Sequence, residues 1–148
     1  MLEISSLTKR LGKRNVITNL SFSAQRQECI GLFGESGAGK TTLLNVISGL
    51  ASPSAGHVTV EGFDTQAHPL QARRALGYQL QDGLSHQTMS VKGVLNFIAA
   101  VRGFSGAEKR SRVDRAAMRL ELSRVLDAPI DTLSVGLKRR VAIAQAIL

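Results

Sequence analysis

Eight consecutive residues, GESGAGKT at 34–41, hold three glycines, a lysine and a closing threonine hydroxyl at a spacing suited to gripping phosphate groups. The run fits G-x-x-x-x-G-K-[ST]. Gly34, Gly37 and Gly39 permit backbone angles and close approaches that a side chain would block. The main-chain N–H groups of the loop, with Glu35, Ser36 and Ala38 between the glycines, can then converge on phosphate oxygens. Lys40 is expected to reach the β- and γ-phosphates and the Thr41 hydroxyl to ligate Mg²⁺. Thr42 adds a phosphate hydrogen bond. The structural alternative is a glycine-rich turn with no ligand.

The flanking residues supply the strand and helix that such a loop needs. ECIGLF (28–33) is a short apolar run, as expected of a strand buried on both faces. TTLLNVISGL (41–50) has helical spacing, with Leu43, Leu44, Ile47 and Leu50 on one side and Gly49 near its end. The helix adds its positive dipole end to the loop. Upstream, LEISSL and VITNLSFSA alternate at period two and read as strands around a turn at Gly12. HVTVEG (57–62) is a further short strand. PLQARRAL predicts a short helix and LGYQL a strand. SVKGVLNFIAAVRG predicts a helix with Ser90 as N-cap. SGAEKRSRVDRAAMRLEL predicts a polar helix with an apolar stripe at Val113, Ala116, Ala117 and Leu120. The last helix carries a stripe at Leu137, Val141, Ala144 and Leu148, with no capping glycine or polar tail after it.

Composition bounds the partners. The 148 residues suit one domain, and 43% are hydrophobic but only 4% aromatic, so the core must be aliphatic. The formal charge is +8, and residues 101–148 carry ten Lys/Arg against five acids. A solvated helix face accounts for such charge, and a phosphate-facing surface is the functional alternative. Specific nucleic-acid binding is not expected, because few aromatics are present to stack on bases. Cys29 has no second cysteine to pair with and is expected as a buried thiol in a reducing compartment. No secretory leader or bilayer-length apolar run is visible, so the chain is expected in the cytoplasm.

Two later motifs narrow the family. Gln81, in LGYQLQ, lies forty-one residues after Lys40, and LSVGLKRRVAIAQAIL follows about fifty residues later. A phosphate loop, a glutamine loop and a serine–glycine loop opening a helix, in this order, resemble the ATP-binding subunit of an ATP-binding cassette (ABC) transporter. The resemblance covers essentially the whole chain. The wording around the last loop is most like exporters of the ABC-2 type. The resemblance implies an α/β fold: a P-loop NTPase core with an antiparallel β subdomain and a helical subdomain. The β subdomain and phosphate loop would occupy about 1–64, and the glutamine loop, helical subdomain and signature helix about 65–148.

In that family ATP and Mg²⁺ lie between two subunits. Gln81 matches the glutamine that touches Mg²⁺ and the attacking water; an ordinary polar loop residue is the alternative. Ser134 and Gly136 match the hydroxyl and glycine of the LSGGQ signature, which close on the γ-phosphate held by the opposite subunit. Val135 and Leu137 depart from that pattern, and Ser134 equally suits a helix N-cap. Leu11 stands where the family places an aromatic against adenine, which implies looser base recognition. The implied partners are a transmembrane permease subunit and a second ATP-binding subunit, head to tail, on the cytoplasmic face of the membrane.

The family's Asp–Glu strand and its later histidine have no counterpart among these residues. His57, His68 and His86 all precede the signature loop. The chain therefore reads as a truncated cassette lacking its C-terminal core strands, with hydrolysis impaired on its own; loss of a general base costs about 10²–10⁴ in rate. Two alternatives are an inert ATP-binding or interaction fragment, and a cytosolic P-loop kinase or nucleic-acid ATPase. The serine–glycine loop argues against the last.

Overall fold

The computed structural model describes residues 1–79 and 88–148. They form two compact units, Met1–Leu76 and Gly77–Leu148.

The first unit is built on a four-stranded antiparallel sheet. Strands β1 (Leu2–Leu11) and β2 (Arg14–Ala24) make a hairpin over the two residues Gly12 and Lys13. Strand β3 (Ala55–Val60) pairs with the other edge of β1, and β4 (Phe63–Asp64) pairs with β3, giving the order β2-β1-β3-β4. The buried face does not follow simple alternation. Ile4 and Leu7 are both buried although three residues apart. A register shift between them explains this, since one extra residue flips the next side chain to the opposite face. Ser6 takes the extra position at φ 50°, and its N–H donates to Ser21 Oγ at 2.8 Å. Asn19 on β2 sits at φ 48°, and its N–H donates to Thr8 Oγ1 at 3.1 Å. The serine- and threonine-rich composition of these strands thus satisfies amides that the bulges remove from the ladder.

Helix α1 (Lys40–Ile47) covers that face with Leu43, Val46 and Ile47, which join Ile4, Leu7, Ile17 and Val58 in one core. Each of these aliphatic side chains contributes about 1.5–3 kcal/mol through burial. The expected stripe is shifted: Val46 is buried, whereas Leu44 and Leu50 are exposed. Positions 43, 46 and 47 stand at i, i+3, i+4, and the helix stops before Leu50 because Gly49 turns left-handed at φ 72°. Past β4, the Asp64 carboxylate accepts the N–H groups of Gln66 and Ala67 at 2.7 and 2.8 Å. The Ala67 bond chiefly holds this carboxyl below the usual carboxylate range. The turn leads into α2 (Pro69–Arg74), with proline at its start.

Three expectations fail here. Residues 28–33 form no strand and pair with none among the described residues. A strand exists only through neighbours that take its hydrogen bonds, and an apolar run alone cannot supply them. Ile30, Leu32 and Phe33 are accordingly exposed, Phe33 at 92%. Cys29, expected buried, is exposed with them. The strand expected at LGYQL is absent over residues 76–79, and Leu80 lies outside the described residues.

The second unit is helical: α3 (Val91–Val101), α4 (Gly106–Arg119) and α5 (Val135–Ile147), with single 3₁₀ turns at Ser123–Val125 and Ile130–Thr132. Ser90 caps α3 as expected, its Oγ accepting the Gly93 N–H at 3.1 Å. The next orphan amides are also met: Val91 N–H donates to Ala128 O and Lys92 N–H to Leu126 O. The core draws Val94, Leu95 and Ala99 from α3, and Val113, Ala116 and Ala117 from α4. From α5 it takes Val141 and Ala144, and Leu148 just past that helix is buried with them at 5% exposure.

Candidate functional site

The loop 34–39 joins the exposed 28–33 segment to the first turn of α1. Gly34, Gly37 and Gly39 have φ of 156°, 82° and 95°. The last two lie in the region that favours glycine. Gly39 is further constrained by space. A Cβ there would fall 2.8 Å from Val16 Cγ1 and 3.1 Å from Val16 O, so β2 fixes where the loop enters the helix. A Cβ on Gly37 would meet nothing within 4 Å, so the loop's outer side is open.

Lys40 organises the interior. Its Nζ donates to Gly34 O at 2.6 Å and to Glu35 O at 2.7 Å, closing the loop on itself. The Ala38 N–H donates to Glu35 O at 3.2 Å, and the Leu43 N–H to Gly39 O at 2.8 Å. Helix α1 has no side-chain cap at Gly39 and no acid in its first turn. Its leading amides therefore carry the positive end of the helix dipole without a neutralising group. Glu35, Ser36 and Ala38 are exposed on the loop, Thr41 is exposed at the helix start and Thr42 is half-buried beside it. Such a constellation of donors, one ammonium and three hydroxyls fits a polyphosphate. Among the described residues, no three His, Cys, Asp or Glu side chains gather to hold a metal. A Mg²⁺ ion fits here only as a partner of phosphate oxygens and the Thr41 hydroxyl, in keeping with its usual reliance on substrate phosphates.

A cleft of about 220 Å³ runs beside the loop, lined by Val16, Ile17, Leu20, Leu32 and Phe33 among others. Sequence reasoning did not single out these residues.

Ser134 and Gly136 belong to the helical unit. Ser134 is the N-cap of α5, its Oγ accepting the Leu137 N–H at 3.3 Å. Lys138 Nζ donates to Asp131 O at 2.9 Å across the same turn. Gly136 sits in the first turn, and a Cβ there would meet nothing within 4 Å. Val135, where the signature pattern has glycine, is exposed. Gln81 and His86 lie outside the described residues.

Residues 17–148 match the family model described as ABC transporter. Nod factor export ATP-binding protein I of Ralstonia nicotianae is 32% identical over 148 residues, which cover all of this chain and 46% of that protein. The chain thus spans about half the length of this relative. Among solved structures, CbiO1 from Clostridium perfringens, part of the ABC transporter complex CbiONQ, superposes at a TM-score of 0.85 with 26% identity. That match covers 98% of this chain and 60% of CbiO1. A dimeric ATP-binding cassette in a post-hydrolysis state with ADP and Pi gives a TM-score of 0.83 at 26% identity, covering 99% of this chain and 69% of that one. A family match through nearly the whole chain, and a fold shared with two cassettes, agree with the order of motifs in the sequence. The chain belongs to the ABC transporter family and carries the fold of its ATP-binding subunits.

Proposed function

We propose that this chain binds ATP with Mg²⁺ on the loop Gly34–Thr42 as the nucleotide-binding part of an ABC transporter. One observation carries the reading: a bare helix N-terminus preceded by left-handed glycines, with Lys40 folded into the loop. Lys40 exchanges its two carbonyl partners for the β- and γ-phosphates, and the amides of Glu35 to Lys40 take further phosphate oxygens. Thr41 would hold Mg²⁺ at the phosphates, Gln81 remains the second ligand that the family resemblance implies, and Thr42 would add a hydrogen bond to phosphate. Mg²⁺ supplies charge neutralisation at the phosphates. Hydrolysis needs a general base, and Glu35, the acid of the loop 34–42, is part of the cradle itself.

Ser134 and Gly136 of a second ATP-binding subunit close over the γ-phosphate, head to tail. The dimeric state of the post-hydrolysis cassette supports this pairing. The open space over Gly136 supports it as well, because the chain's own packing gives no reason for glycine there. A transmembrane permease subunit is the other partner, with the chain peripheral on the cytoplasmic face. Among the described residues no helix is long and apolar enough to cross a membrane. Exposed apolar side chains support a permease contact: Phe97 and Val101, one turn apart on α3, stay exposed, as does Met89 ahead of its N-cap.

The test is ATP affinity with Mg²⁺ for the wild type and Lys40→Ala. Two charge-assisted hydrogen bonds at about 1.5 kcal/mol or more each predict affinity weaker by about 100-fold or more in the variant. Equal affinities, or no binding by either protein, would remove the proposal.

A further inference from the structure

The tip of the β1–β2 hairpin carries positive charge that the nucleotide reading does not use. Lys9, Arg10, Lys13 and Arg14 are four cations within six residues, and no acid occurs between Glu3 and Glu28. Lys9 Nζ donates to Ser52 O at 2.7 Å and Arg10 Nε to Asn15 Oδ1 at 3.1 Å, so both are held by neutral oxygens and keep their charge. Lys13 and Arg14 are exposed, and among the described residues their side chains have no hydrogen-bond or ion-pair partner. None of the ion pairs among the described residues involves this tip.

The fold sets this charge beside the phosphate loop. The pairing steps from Lys9 opposite Ile17 to Arg10 opposite Asn15, which leaves Val16 as an extra residue in β2. The bulge turns Val16 and Ile17 toward one neighbour: a Cβ on Gly39 would fall 2.8 Å from Val16 Cγ1 and 3.8 Å from Ile17 Cγ1. Arg14 stands two residues before that contact, about 7 Å along the strand. The screening length at physiological salt is about 8 Å, so the field of the tip reaches the loop. There it adds to Lys40 and to the bare start of α1, against the single acid Glu35. Edge protection is the structural alternative, since charged side chains keep a strand edge from pairing with other chains. Charge of either sign serves that purpose, yet this tip carries one sign only and bears the repulsion among its cations. A single sign is what an anionic ligand requires.

We propose that the hairpin tip is an electrostatic guide for the nucleotide, with Lys13 and Arg14 drawing its phosphates from solution toward the loop. The proposal rests on the nucleotide reading of residues 34–42. Such a guide acts on the rate of arrival rather than on the time of residence, and on phosphate charge rather than on the base. The ligand class follows: a nucleoside triphosphate taken up by its charge, with adenine and guanine equivalent in this step.

The probes are ATP and GTP carrying a fluorescent ribose label, with Mg²⁺, mixed with the chain by stopped flow. In about 0.15 M salt, Lys13→Gln with Arg14→Gln should slow association about threefold or more, with dissociation unchanged within about twofold. The same ratio should hold for both nucleotides. In about 1 M salt the screening length falls to about 3 Å, and the difference should vanish. Arg73→Gln with Arg74→Gln removes the same charge from α2, which packs beside β4. That strand lies three places across the sheet from β2, about 14 Å away and beyond the screening length, so association should stay within about twofold. Unchanged association in the hairpin variant, equal slowing by the two paired variants, a loss carried by faster dissociation, or a loss confined to one nucleotide would each overturn the guide. In these cases the wild type still binds and Lys40→Ala still weakens binding, so the nucleotide reading stands. Absence of binding by the wild type would remove both.

Discussion

Helices α1 and α5 both begin in short loops that the sequence marks for phosphate contact, yet their first turns are finished differently. At α1 the N-cap is Gly39, no side chain accepts a leading amide, and the group folded against the loop is the cation Lys40. At α5 the Ser134 hydroxyl accepts the Leu137 N–H, and Lys138 ties back to Asp131 O. The glycines differ in the same sense. Gly39 is pressed against Val16, whereas Gly136 faces open space. The α1 terminus leaves its leading donors without a side-chain acceptor and needs glycine for the chain's own geometry. The α5 terminus is capped by its own serine, and among the described residues nothing crowds Gly136.

The largest effect that could break this contrast comes from Gly39→Ala. A left-handed φ costs a residue with a Cβ about 1–2 kcal/mol, and crowding against Val16 adds about 1 kcal/mol. Denaturant unfolding should therefore show a loss of about 2–3 kcal/mol, with ATP binding lost as well. Val16→Ala in the same chain relieves the Cγ1 contact but leaves the carbonyl at 3.1 Å, so recovery should be partial. Full stability in Gly39→Ala would show that β2 does not fix the loop. Next in size is Ser134→Ala, which removes the cap and should cost about 1 kcal/mol. Ser134→Asp restores the cap, so stability should return. ATP-dependent dimer formation should not, because a carboxylate then faces the γ-phosphate.

Gly136→Ala reverses the sign. Alanine in a helix is favoured over glycine by about 0.8–1 kcal/mol in the interior and by less in the first turn, and nothing here obstructs the methyl group. The isolated chain should gain about 0.5 kcal/mol by thermal or denaturant unfolding, while ATP-dependent pairing weakens. A loss of stability instead would mean that the fold itself requires this glycine, and the contrast with Gly39 would disappear.

The parts legible in the sequence were those whose causes are local. A left-handed glycine, a serine at a helix start and an i, i+3, i+4 stripe each depend on a few neighbouring residues, and Gly37, Gly39, Ser90, Ser134 and the α4 stripe at Val113, Ala116 and Ala117 followed from them. The segment 28–33 depended on strands elsewhere in the chain, and an apolar pattern cannot report whether they exist; hence Phe33 and Cys29 were expected inside and are found outside. The bulge at Ser6 escaped for a related reason, since Ile4 and Leu7 share a face only after the register shifts. The cations of residues 9–14 were legible as charge, but their place beside Gly39 required coordinates.

The smallest expected effect tests whether either helix start is tuned by an acid. Neither α1 nor α5 has an acidic residue in its first turn, so protonating carboxylates should leave both termini as they are. The acid dependence of the first unit should come instead from Glu61, on the turn after β3. Its carboxylate bonds to the Arg26 guanidinium and to the Met1 ammonium, and the Arg26 bond does most to bring its pKa from 4.5 down to about 2. A lowered carboxyl pKa means that the folded state holds the proton less well than the unfolded chain. The contribution of Glu61 is then complete above about pH 4.5 and fades as the pH falls toward about 2. The pair is exposed, so the slope of the unfolding midpoint over this window should be shallow and should flatten further with added salt. Glu61→Gln should remove that slope while leaving ATP affinity unchanged at neutral pH. An unchanged slope in Glu61→Gln, accompanied by pH-dependent amide shifts in the first turn of α1, would show that an acid does act on the bare helix start, against the division drawn between the two termini.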